Sequence, residues 1–178
     1  MGRIKKEFLQ RMISHINRKA WWHVPPLDPE AYQKRGKFLA SSFAEAEFYG
    51  RPLDEPERPQ VIKPLVGSER AVCRVLFGKF IHFPSDGDKD ILKKRFALDA
   101  RIKNTALVQG YDSIVIMHPK RYTEFKRTGK IPRMLELNVL SPARLFPPAK
   151  HQPHSHSSTA PSGELAQPVT RNKHETAL

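Results

Sequence analysis

Three side chains in this sequence have the chemistry of a reactive site and sit where apolar segments could hold them still. His23 lies in the run AWWHV, Tyr49 ends the stretch FAEAEFYG, and Glu136 interrupts MLELNVL. An imidazole, a phenol and a carboxylate offer hydrogen bonding, a stacking face and a negative charge. They are far apart along the chain, so only folding could bring them together. Each also has an ordinary explanation. Alternation across MLELNVL puts Leu135, Leu137 and Val139 on one face and Glu136, Asn138 and Leu140 on the other, so Glu136 could simply face solvent from a one-sided strand. His23 could be a core histidine satisfied by a backbone carbonyl, and Tyr49 could pack the last turn of its helix.

The elements around these residues are readable from pattern. The strand KFLAS hands over abruptly at Ser41 and Ser42 to a short helix that stops at Gly50. Ser42 stands three residues before Glu45, a capping-box spacing usually worth about 1 kcal/mol. That corner suits either packing or a nucleotide. Upstream, Phe8, Leu9, Met12, Ile13 and Ile16 follow helical spacing, and DPEAYQKRG predicts a helix with Asp28 as cap, Pro29 at its first position and Gly36 as stop. QVIKPLV and AVCRVLFGKFI read as β-rich, with Pro64 confining the first to an edge or a bulge. DKDILKKRFALDARIKNTALVQG predicts the longest helix, capped by Asp88 and stopped by Gly110, with Ile91, Leu92, Ile102, Ala106 and Leu107 toward the core. YDSIVIM is a buried strand, HPKRYTEFKRTGKIPR a basic loop with at most a helical turn, and MLELNVL a last strand ended by Ser141-Pro142. The result is a mixed α+β domain with no clean βαβ series and no Gly-x-Gly-x-x-Gly or Walker pattern.

Bulk properties set limits. The 178 residues predict one domain and a tail, and 31 Lys+Arg against 18 Asp+Glu give a formal net charge of +13, a surface that attracts polyanions. The single cysteine, Cys73, excludes an internal disulfide and a Cys-based zinc site, which fits a reducing, cytoplasmic setting. No segment has the ~20 apolar residues of a membrane span, and the charged N-terminus has no secretory apolar core. From Pro147 onward the chain is rich in Pro, Ser, His and Thr, a composition expected to be disordered. Its HQPHSHSS run reads as polar tail before metal site.

Taken in order, AWWHV, GKFLASSFAEAEFYG, LVQGYDSIVIM and MLELNVLSPARL resemble the ADP-ribosyltransferase-like fold in its diphtheria-toxin and poly-ADP-ribose-polymerase branch. The GYDSIV strand before ELNVLSPARL is similar to small bacterial and phage-associated members. The resemblance covers roughly residues 20–146 and implies a split-sheet ADP-ribosyltransferase-like domain there, between the N-terminal amphipathic helix over 1–19 and the disordered tail over 147–178. It implies NAD+ as substrate, no metal, and transfer of ADP-ribose to a macromolecular acceptor, protein or nucleic acid, or NAD+ hydrolysis. His23 would hold the adenosine-side ribose, Tyr49 would stack on nicotinamide, and Glu136 would bind the nicotinamide ribose and stabilise its cation. Ser41 or Ser42 would support the ribose or the glutamate, with Arg35, Lys37 or Arg51 on the pyrophosphate.

The chain departs from the family pattern at Val24-Pro25-Pro26, where a Gly-Thr-like pair usually follows the histidine, and at Leu39, near the place of a second tyrosine. Met134 stands where the arginine-targeting branch has a glutamate, which argues against an arginine acceptor. A second reading keeps the fold as a basic nucleic-acid-binding or phage/toxin accessory protein without catalysis. In it, or in acceptor recognition, Lys120, Arg121, Tyr122, Lys126 and Arg127 would make the contacts, gripping phosphates and stacking a base. A nuclease built from His15, His23, His82 or His118 with Glu136 has no spacing behind it.

Overall fold

The computed structural model describes residues 3–28, 30–79, 81 and 90–141. The expected disordered tail, Pro29, His82 and the Asp88 cap lie outside these residues. Helix α1 (Lys6–Arg18) comes first, followed by α2 (Ala31–Arg35), strand β1 (Lys37–Ala40) and α3 (Phe43–Glu47). Next come β2 (Pro64–Gly67), α4 (Glu69–Phe77), α5 (Ile91–Val108), β3 (Ser113–Ile116), α6 (Pro119–Thr128) and β4 (Glu136–Val139). The strands form one mixed four-stranded sheet in the order β1–β4–β3–β2. β4 runs antiparallel to both neighbours, whereas β2 and β3 are parallel and are joined through α4 and α5, as a parallel pair requires. Pro64 does open an edge strand, where its missing N–H costs no ladder bond. AWWHV contributes two isolated bridges, Trp21 to Glu57 and Trp22 to Ala40.

Register sorts the side chains into two layers. Leu39, Leu137, Val115 and Val66 lie on the face that meets α1 and α6, where Phe8, Met12, Ile16 and Phe125 complete a core. The opposite face presents Leu65 and Ile114 to Val72, Cys73 and Leu76 of α4 and to Leu98, Ile102 and Ala106 of α5. The period-2 reading of β4 therefore holds, and Glu136 and Asn138 point into this second layer, in a cleft lined by α4 and α5 residues.

Two segments differ from the sequence expectation. AVCRVLF is helical, not β-rich. Its β-branched and aromatic residues suit strands, but Ser68 Oγ accepts the Ala71 N–H at 3.4 Å to start a helix. Gly78 ends it at φ +71°, and Val72, Cys73 and Leu76 share one buried face. PKRYTEFKRT is a full ten-residue helix capped by His118. Its first turn carries Pro119, His118 Nδ1 accepts from the Lys120 N–H at 3.3 Å, and Phe125 alone is fully buried. That leaves too thin an apolar stripe for periodicity to register. Two smaller corrections concern Asp28, which accepts the Glu30 N–H in a turn ahead of α2, and Leu92, which is 66% exposed while Leu98 takes its place in the core.

Candidate active-site cleft

The strand-to-helix corner is pinned rather than loose. Ser42 caps α3 by accepting the Glu45 N–H at 3.3 Å. Glu45 does not reach back to Ser42; its Oε2 accepts from Ser41 N–H at 3.1 Å and Ser41 Oγ at 2.6 Å. Ser41 Oγ also accepts the Leu135 N–H at 3.1 Å. Ser41 is buried, so its hydroxyl ties the corner to the residue just before Glu136. The tie holds the short helix α3 beside the start of β4.

The consequence is a meeting of Tyr49 and Glu136. Glu136 is half-buried, yet its carboxyl is deep enough to be pushed up to about 7, by burial first and then by the charge of Glu69. Arg95 pulls the other way, Asp99 adds to the rise, and the nearby Tyr49 side chain lowers it again. The Tyr49 hydroxyl is itself held above its ordinary value by burial and then by the Glu136 charge. The rest of the tyrosine is open to solvent, the residue being 68% exposed, and its ring meets Phe48 edge-on.

Behind this pair lie groups that the sequence reading missed. Glu69, Arg95, Asp99 and Asn138 line the same cleft with Phe38 and Glu136. Arg95 Nη2 sits 2.9 Å from Glu69 Oε1, and its Nε is 3.5 Å from Asp99 Oδ1. Burial raises Asp99 to about 6, with Arg95 and Arg35 opposing. The i, i+4 spacing of Arg95 and Asp99 was the available signal, hidden among the many charges of α5; Glu69 sat between two segments expected to be β-rich. The cavity is small, about 20 Å³, room for a water-sized group. A hydroxyl could enter it, whereas anything larger would lie across its mouth.

His23 is placed one step away. Its Nδ1 lies 2.8 Å from the Phe38 carbonyl and its Nε2 is 2.7 Å from the Tyr32 hydroxyl. A carbonyl can only accept, so Nδ1 carries the proton and Nε2 accepts from Tyr32. Burial, more than any charge, keeps this imidazole below its usual value and neutral. His23 does not line the cleft; Phe38, which holds it, does. Arg35 stacks over Phe96, 3.8 Å from the ring centroid, and its charge reaches Asp99. Arg51 is exposed just beyond α3. Lys120, Arg121, Tyr122, Lys126 and Arg127 all lie on α6, across the sheet from the cleft. No group of three or more His, Cys, Asp or Glu suited to a metal ion occurs among the described residues. Compared with known proteins, the chain matches no family model, no curated protein and no solved structure.

Proposed function

We propose that the chain is an ADP-ribosyltransferase-like protein whose cleft acts on NAD+, transferring ADP-ribose to a macromolecular acceptor or to water. The observation that carries this reading is that Tyr49 and Glu136 come near enough for each to shift the ionisation of the other, with the aromatic ring left largely exposed. In the reaction the bond between ribose C1′ and the nicotinamide nitrogen breaks, its electron pair leaves with nicotinamide, and an oxocarbenium-like sugar remains. The acceptor then adds to C1′ and releases a proton. The Glu136 carboxylate accepts a ribose hydroxyl that fits the small cavity and stabilises the adjacent cation, the type of charge placement that dominates catalysis. The exposed Tyr49 ring supplies a face for the planar nicotinamide, and Arg35 and Arg51 supply positive charge for the pyrophosphate. His23 acts at the adenosine-side ribose only if Tyr32 yields its hydrogen bond. Otherwise it orders β1 through Phe38.

The test is nicotinamide release from NAD+ together with thermal protection by millimolar NAD+. Because Glu136 must be ionised to stabilise a cation, turnover is expected to rise with pH through about 7. Glu136→Gln should abolish turnover, and Tyr49→Phe, which keeps the ring, should lower it less than Tyr49→Ala. Absence of both NAD+ protection and nicotinamide release would overturn the reading.

A further inference from the structure

Two stretches of this sequence are strongly basic. Residues 3–19 contain six Lys/Arg and one acid, and residues 118–133 contain six and one, so 33 positions carry +10 of the formal +13. The fold puts these two segments side by side. Phe8 of α1 and Phe125 of α6 pack with ring centroids 6.3 Å apart, and Arg11 lies against Gly129, where a Cβ would collide with it and with Phe8. Both helices spend their apolar residues on the core of the sheet face opposite the cleft. Their outer sides carry exposed Lys6, Lys120 and Arg127 among others.

We infer that the α1–α6 layer is a docking surface for the phosphate backbone of a nucleic acid duplex, separate from the cleft. A bilayer is the poorer fit, because a helix lying in a membrane buries an apolar face there, and no exposed large hydrophobic residue belongs to α1 or α6. A single strand is also the poorer fit, since it needs open aromatic platforms. The Tyr122 ring is half-buried against the core, with Lys126 4.8 Å from its centroid. What remains is a broad cationic plane with two acids in it, the complement of regularly spaced phosphates, and such contacts make affinity fall steeply with salt. This inference does not depend on the NAD+ reading.

The experiment titrates the full chain against DNA and RNA duplexes of one sequence, the matching single strand, and vesicles of phosphatidylcholine with phosphatidylserine, over a range of salt. Duplex binding is expected to exceed the other two, and the preferred duplex names the nucleic acid. The triple variant Lys6→Gln/Lys120→Gln/Arg127→Gln should bind duplex at least about tenfold more weakly, with a log K against log salt slope shallower by roughly 2.7. Glu136→Gln should bind as the native chain does. Unchanged duplex affinity and slope in the triple variant, its fold verified by thermal unfolding, would overturn the inference, as would preference for vesicles or single strand.

Discussion

Glu136 is kept where a carboxylate is uncomfortable. A half-buried side chain between apolar strands, facing Glu69 and Asp99, would be better placed as a neutral group, and its folded-state value near 7 against an ordinary 4.5 states that cost. The sign follows from linkage: the folded chain holds this proton more tightly than the unfolded one. Its contribution is therefore neutral well below pH 4.5, turns unfavourable as pH rises through the window up to about 7, and is fully unfavourable above it. Glu136→Gln removes the ionisation while preserving shape and an acceptor for Tyr49. At pH 8 it is expected to melt higher than the native chain, by up to roughly 3 kcal/mol of stability, with the difference closing near pH 4. Thermal unfolding at the two pH values measures this, and a Glu136→Gln chain less stable at pH 8 would show that the carboxylate is there for structure. Stabilisation joined to lost turnover is the pattern of a residue retained for function.

At the scale of elements, the lesson lies in how the two misread helices end. Both stop at a glycine in the left-handed region, Gly78 at φ +71° and Gly129 at φ +70°, and both begin with a capping side chain, Ser68 and His118. Those punctuation marks were legible in GSERAVCRVLFG and HPKRYTEFKRTG. Val72, Val75 and Phe77 argued louder for a strand, and a lone buried phenylalanine argued too softly for a helix. β1, α3, β3 and β4 were legible because their period or cap was local. The cleft was only partly so, since Glu69, Arg95 and Asp99 meet Glu136 through the crossover of α4 and α5, which no local pattern encodes. The two glycines give a matched test of the α1–α6 contact. A Cβ at Gly78 would meet nothing within 4 Å, whereas at Gly129 it would strike Phe8 at 2.6 Å. Gly78→Ala should cost about 1 kcal/mol, the conformational strain alone. Gly129→Ala should add about 1–3 kcal/mol of overpacking. Urea unfolding of the pair measures the difference, and equal costs would mean that α1 and α6 part easily.

Cations crowd the α1–α6 layer on one side of the sheet, while on the other side Glu69, Asp99 and Glu136 meet in the cleft. Crowding of one sign works against folding, and it acts through solvent, where salt can screen it. Between about 0.01 M and 0.15 M ionic strength the Debye length falls from about 30 Å to about 8 Å. Repulsion between neighbouring exposed cations shrinks over that interval, while the partly buried Arg95–Glu69 and Arg95–Asp99 pairs are screened much less. The melting temperature is thus expected to rise with salt over this range, and the rise should be smaller in Lys6→Gln/Lys120→Gln/Arg127→Gln, which itself should be more stable than the native chain at low salt. Melting curves of both chains at the two ionic strengths decide it. A native chain that loses stability on adding salt would mean that favourable ion pairs outweigh the cationic crowding. If the triple variant is the more stable chain and the weaker duplex binder, the basic layer stands to the phosphate backbone as Glu136 stands, in the proposed reaction, to the ribose cation. Each is a charge held at a cost to the fold, on opposite sides of one small sheet.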